Sequence, residues 1–481
     1  MLLSNLRARH ESTGASEGRI EMEDQDQPGK ARPALCRKGL SIMRSLWDRI
    51  PAAPLICSLL GLAGGYLAIR QPKLAIALLG AAALLALFAR SPIAIALLAA
   101  PVSFDVNRLS FGNGISLPDI FLIAATLLSL PALARLGTPR GVTNVRRWLL
   151  VYVVAMAVAV AVHPSGRGIV EAGHRTLLVA GALSVGAWIY LDGKTRLALR
   201  LLVGTAAVMG AAAIAVGAVH GFRAPAQPFG IQKNYLGSVL GLTMLVVVAA
   251  PAEVHLGQKS RYASLAVMGG GLAATHSRAA MLGLVLGLLV CFFRTHSDYR
   301  RRSFMAAAVL AIGFLSYAGY LVQSQVSDTS ATINTNSVAV RNKTNAATLA
   351  LWRTSPIVGV GIYYYNDPKY QQMNRFLVAP TNAIYEALAE GGIVLAVGFV
   401  VFQVGAASVL LRRRNPLAVA GLALVADRLM HGMVDIYWTA GNSSLPWIIA
   451  GMGLAQAAAA RAASPSPKRR DGISQYSAPR G

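Results

Sequence analysis

From Gly391 to Leu411 the chain carries no charge, and Arg412, Arg413 and Arg414 follow at once. A helix rises 1.5 Å per residue, so about 20 apolar residues cross a hydrocarbon core of ~30 Å. An apolar run of this length, closed by three arginines, reads as a membrane span ending at a basic interface. The pattern recurs along all 481 residues. Candidate spans lie near 52–69, 73–89, 91–106, 117–134, 148–162, 169–190, 197–219, 235–251, 262–274, 278–293, 304–322, 392–411, 416–432 and 445–460. Those near 91–106 and 262–274 are short and read as re-entrant or tilted, which leaves 12–14 transmembrane helices. The expected fold class is an all-α polytopic membrane protein.

Charge supports this map. Only 14% of residues are charged, where a soluble surface needs roughly a quarter. The formal charge of +25 then belongs on cytosolic loops facing anionic lipid, and nucleic acid is excluded as a partner. The basic stretches ARLGTPRGVTNVRR (134–147), DGKTRLALR (192–200), RTHSDYRRR (294–302), RRR (412–414) and the C-terminal SPKRRD alternate with less basic loops. This places both termini in the cytosol.

The expected layout has five parts: a disordered cytosolic tail over 1–50, helices 1–11 over 51–322, one long extracytoplasmic loop over 323–381 with an interfacial helix, helices 12–14 over 382–462, and a disordered tail over 463–481. The polar start of the chain argues against a cleavable signal peptide there, so the span from about Ala52 acts as an internal anchor. Cys36, Cys57 and Cys291 show no metal-type spacing, and no disulfide or metal site is expected.

Ionisable groups at membrane depth are costly and gather on the outer side. Glu171, His174 and Arg175 share one helical face and read either as a self-satisfied ionic cluster or as a site. Arg278 opens the span near 278–293, where a helix N-terminus favours an anion. Arg223, Lys233 and Asn234 lie in GFRAPAQPFGIQKNYLG at another helix start. In DRLMHGMVD, Asp427, His431 and Asp435 form one stripe beside Arg428, read either as an ion-pair ladder or as catalytic. Tyr363, Tyr364 and Tyr365 offer flat faces for a sugar or belong to an interfacial aromatic belt. In PTNAIYEALAEGG, Asn382 is the expected N-cap and Glu386 suits the first turn. Glu390 lies at the membrane mouth, where desolvation favours the neutral acid.

Four stretches, in order, resemble the O-antigen ligase and polysaccharide polymerase superfamily: PFGIQKNYLGSVLGL, THSRAAMLGLVLGLL, RNKTNAATLALWRTSPIVGVGIYYY and PTNAIYEALAEGGIVLAVGF. HGMVDIYW is similar to the family's penultimate-span ending, and the likeness covers Ala224 to Trp438. One departure stands out. Thr381 takes the place of the family's usual His before Asn, which favours a polymerase or divergent relative over a lipid A–core ligase.

The resemblance implies a metal-independent, cofactor-free, inverting glycosyl transfer on the outer face of the bacterial inner membrane. The donor is an undecaprenyl-diphosphate-linked glycan and the acceptor a glycan or lipid hydroxyl. Membrane lipids and proteins of a polysaccharide assembly system are the other expected partners. Arg278, then Arg223 and Arg341, are expected to hold the diphosphate. Lys233, Asn234, Asn382 and Tyr364 are expected to bind substrate. Glu390, then Glu171 or Asp435, is expected to take the acceptor proton. His276 is the candidate to replace the missing His. A lipid-linked oligosaccharide flippase and a SEDS-like (shape, elongation, division, sporulation) peptidoglycan polymerase are the alternative readings.

Overall fold

The computed structural model describes residues 91–104, 110–111, 115–294, 332–373, 379–439 and 441–463. All belong to one compact unit, Ala86–Gly481. The spans expected near 52–69, 73–89 and 304–322, the loop over 323–331 and both tails lie outside the described residues.

The elements in chain order are α1 (Ile93–Ala99), the paired two-residue strands β1 (Ser110–Phe111) and β2 (Ile115–Ser116), α2 (Leu117–Leu136), α3 (Arg140–Val162) and α4 (Gly166–Thr176). A π turn (Leu177–Gly181) joins α4 to α5 (Ala182–Leu191). Then follow α6 (Thr195–Val219), α7 (Lys233–Ala249), α8 (Pro251–Val254), α9 (Gln258–Ala274), α10 (Arg278–Arg294), α11 (Thr332–Trp352), α12 (Pro368–Met373), α13 (Ala383–Leu411), α14 (Pro416–Gly432) and α15 (Leu445–Ala463). Among the described residues, α2, α3, α6 and α13 are each long and apolar enough to cross a membrane. The stretch near 91–106, read as short and re-entrant or tilted, holds the 7-residue α1 followed by a 3-10 turn at Pro101–Phe104. That is about 10 Å of helix, too short to cross alone.

The helices leave whole apolar faces exposed while packing the opposite faces together, the arrangement of a protein whose solvent is lipid. On α13, Ala396, Phe399, Phe402 and Ala406 are buried while Ile393, Val397, Val400 and Val404 are exposed. Backbones meet at glycines. A Cβ on Gly186 of α5 would strike the Ile448 carbonyl of α15, and one on Gly271 of α9 would strike Gly210 of α6. The fold is that of an all-α, multi-pass membrane protein.

The loops sort into two groups at the helix ends. On the side expected to face outward, His163 Nε2 meets the Gly359 carbonyl at 2.9 Å, the Ala226 amide donates to the Ala274 carbonyl at 2.8 Å, and Asn382 Nδ2 donates to the Met433 carbonyl at 3.1 Å. On the opposite side Arg294 donates to the Leu411 and Arg413 carbonyls, and Arg200 to those of Val254 and His255. Loops assigned to one membrane face by charge therefore touch loops of the same face.

α13 is not one rod. Gly391 (φ −136°) and Gly392 (φ 64°, ψ −159°) break it into an outer segment carrying Glu386 and Glu390 and an inner apolar one. The break exposes backbone donors and acceptors that cannot stay unpaired in a membrane. The PIVGVG loop satisfies them. Pro356 and Ile357 carbonyls accept from Ile393 and Val394 amides at 2.9 and 3.3 Å. Val360 and Gly361 amides donate to Ala389 and Glu390 carbonyls at 2.8 and 3.0 Å. The Pro-x-x-Gly-x-Gly and Glu-Gly-Gly motifs are thus two halves of one joint.

Candidate functional site

Two charged centres flank the turn from Met433 to Thr439. The first is built on Arg175. Ser165 caps α4 by accepting from the Gly168 amide at 3.0 Å, which sets the helical phase so that Glu171, His174 and Arg175 share a face. Ser116 caps α2 in a capping box with Asp119, whose other oxygen lies 2.9 Å from His174 Nε2. His174 Nδ1 is 3.4 Å from Glu171 Oε2. Arg175 Nε donates to Glu171 at 2.9 Å, and its terminal nitrogens donate to Glu390 at 2.5 and 2.9 Å and to Glu386 at 2.9 Å. The Tyr363 amide adds a 2.9 Å bond to Glu390. The guanidinium lies 5.5 Å from the Trp438 ring centroid, and Trp438 stacks on Tyr152.

This revises the expected place of Glu390. It is 0% exposed, its two oxygens are taken by Arg175 and the Tyr363 amide, and it faces no open mouth. Glu171 is likewise engaged, by Arg175 and His174. Both acids are framework in this arrangement. Tyr364 is also corrected. Its hydroxyl donates to Thr348 Oγ1 at 3.2 Å and its ring packs edge-on against Tyr365 and Tyr370, so both its polar atom and its ring are engaged within the protein.

The second centre is basic. Lys233 and Arg278 are the first residues of α7 and α10, two adjacent helices whose starts are tied by Ser277 Oγ donating to Asn234 Oδ1 at 3.2 Å. Both dipoles therefore present positive ends beside the two cations. Lys233 lies within electrostatic reach of Arg278, Arg341 and Asp435. Arg278 makes no ion pair among the described residues and is exposed. Asn234 and Asn382, expected to bind substrate, hold the frame instead. Asn382 Oδ1 accepts from the Ile384 and Tyr385 amides at 2.9 and 3.1 Å. Arg223 is exposed on the loop before α7, with no ion pair to this cluster among the described residues.

Asp435 and His431 border the cations. His431 Nε2 lies 3.4 Å from Asp435 Oδ2, and Arg341 acts on both. The expected ladder does not extend further. Arg428 spends its guanidinium on the Ile436 and Tyr437 carbonyls, and Asp427 is buried against Gly283 with neither oxygen hydrogen-bonded among the described residues. Burial alone would raise the Asp435 carboxyl, but His431, the Ile436 amide and Arg341 outweigh it and hold the group below its ordinary value. A carboxylate depressed in the folded state stabilises above its unfolded pKa, and that contribution is lost as pH falls through the folded value. A pH scan of thermal stability should therefore show the Asp435 contribution intact down to 3.8, its ordinary value, and lost only below it. Asp435→Asn should remove that acid step. Burial, Lys233 and Arg278 lower the His276 pKa against the raising pull of the Phe222 backbone, which favours the neutral imidazole beside the cations.

Sequence reasoning placed Lys233, Arg278, Arg341 and Asp435 on the outer face, and in the structure Arg278, Arg341 and Asp435 lie within electrostatic reach of Lys233. It missed Arg175 as the partner of Glu386 and Glu390. The available signal was charge arithmetic: two acids one turn apart at the head of an apolar span require a cation. A comparison with curated proteins gives no match. Residues 263–400, which run from α9 through the PIVGVG loop into α13, match the family model described as O-antigen ligase, so this segment of the chain is similar to that family.

Proposed function

We propose that the protein is an inverting glycosyltransferase of the bacterial cytoplasmic membrane, which transfers or polymerises a glycan carried on undecaprenyl diphosphate at the outer face. The observation that carries this reading is that Lys233 and Arg278 stand at two tied helix starts, within electrostatic reach of Arg341 and of one acid, Asp435. A leaving lipid diphosphate accumulates negative charge as the glycosidic bond breaks. Fixed cations and helix dipoles stabilise that charge without reorganising. Three cations and two dipoles facing outward suit such a leaving group without a resident metal. The His431–Asp435 pair borders these cations on the side where an acceptor hydroxyl would enter, while Glu390 and Glu171 keep Arg175 and the outer helix segment in position.

Removing one preorganised contact to transition-state charge typically costs about 10²–10³ in rate. Arg278→Ala should lower glycan transfer by that factor and weaken binding of undecaprenyl diphosphate, while leaving expression and thermal stability unchanged. Cells carrying the variant should accumulate outer-leaflet lipid-linked glycans. Single repeats there identify a polymerase, and long unattached chains identify a ligase. Repeats retained on the inner leaflet would defeat the transferase reading in favour of a flippase.

A further inference from the structure

Inversion at an anomeric carbon needs a proton acceptor on the attacking side. We infer that His431 Nδ1 is that acceptor and that Asp435 is its positioning residue, an assignment that rests on the proposed transfer from a lipid diphosphate. His431 stands on the last turn of α14 and is 2% exposed. Its Nε2 points at Asp435 Oδ2, 3.4 Å away. A carboxylate on Nε2 keeps the proton there, which leaves Nδ1 as a bare lone pair. Nδ1 is buried and has no hydrogen-bond partner among the described residues. An unpaired buried acceptor costs about 1–3 kcal/mol, so such atoms collect where a ligand group completes them.

The surroundings match the role. Asp435 on the following turn, Arg428 on the same helix and Arg341 on α11 are the charged groups acting on His431. Arg428 is turned to backbone carbonyls. Arg341 and Lys233, within reach of Asp435, belong to the cation cluster, so the base and the diphosphate site share a border. The family's usual His position is occupied by Thr381. The neighbouring Asn382 is bonded to Met433, midway between His431 and Asp435.

The step balances. The acceptor hydroxyl oxygen forms a bond to the donor's anomeric carbon. The bond from that carbon to the diphosphate oxygen breaks, and its electron pair leaves with the lipid diphosphate. The hydroxyl proton passes to His431 Nδ1, and Asp435 faces the resulting imidazolium. Nothing is oxidised or reduced.

The test uses the full-length protein in nanodiscs, lipid-linked glycan extracted from cells lacking it, and undecaprenyl diphosphate as the binding probe. His431→Gln keeps a donor toward Asp435 and removes the base. Turnover should fall about 10²–10⁴-fold, with probe affinity within twofold of wild type. His431→Ala should regain turnover when free imidazole is added. Turnover of His431→Gln within threefold of wild type overturns the assignment. So does loss of probe binding or thermal stability in step with activity, without imidazole rescue, because that is the behaviour of a structural histidine. Wild-type protein that fails to bind the probe, or Arg278→Ala that binds it unchanged, defeats the diphosphate reading instead.

Discussion

Arg175→Ala should be the most damaging single substitution among the described residues, with a loss of about 3–5 kcal/mol. The wild-type guanidinium is 1% exposed and faces three carboxylates, those of Glu171, Glu386 and Glu390. Removing it leaves Glu386 and Glu390 buried together one helical turn apart with no counter-ion. The penalty is then the cost of abandoned charge rather than the worth of the pair. Arg175→Lys should recover little, since an ammonium cannot fork to two carboxylates on α13 while holding Glu171. Arg175→Met with Glu386→Leu and Glu390→Leu should recover more, because an apolar set asks for no charge compensation. Thermal unfolding in detergent reads all three. Wild-type stability for Arg175→Ala would mean that the ionic knot does not hold the bundle together.

The knot also marks where reading along the chain stops. The apolar runs and basic loops were enough to give the multi-pass fold and the grouping of loops by face, because both follow from local composition and the thickness of a bilayer. Lys233, Arg278 and Arg341 were legible as outward cations because two of them open apolar helices. The bonds from Arg175 to Glu386 and Glu390 cross 211 and 215 residues, and no local periodicity encodes a contact of that span. Glu390 was read against a straight helix, in which counting back from Arg412 puts it at the interface. The chain instead breaks at Gly391–Gly392 and turns the acid inward onto Arg175. Tyr364 was misplaced for a similar reason: a run of three tyrosines says nothing about which ring points to Thr348 and the core. The His431–Asp435 pair was visible as a stripe, but its separation from Arg428 depends on a turn, Ile436 to Thr439, that takes the guanidinium for its carbonyls.

Gly392→Ala should approach the Arg175 effect through backbone alone. Its φ of 64° and ψ of −159° lie in a region reserved for glycine, where a side chain costs about 1–3 kcal/mol. A Cβ there would also strike the Ile357 backbone, which cannot rotate away as a side chain could. Gly137 provides the control. It too has positive φ, 83°, but nothing lies within 4 Å of its would-be Cβ, so Gly137→Ala carries the conformational cost without the collision. Gly359 (φ 67°) faces the reverse side of the joint, and its Cβ would meet the Glu390–Gly391 peptide. Each alanine should part the PIVGVG loop from the break in α13 and lower the unfolding temperature well beyond Gly137→Ala. Because both dismantle the same four backbone bonds, the Gly359→Ala, Gly392→Ala double variant should lose far less than the sum of the two. Additive losses would mean that loop and break are independent. Parting the joint also withdraws the Tyr363 amide from Glu390, which leaves that carboxylate to Arg175 alone. The glycines in these two motifs therefore hold the ionic knot in register, and a variant that keeps every charged residue can still disorganise the outer end of the bundle.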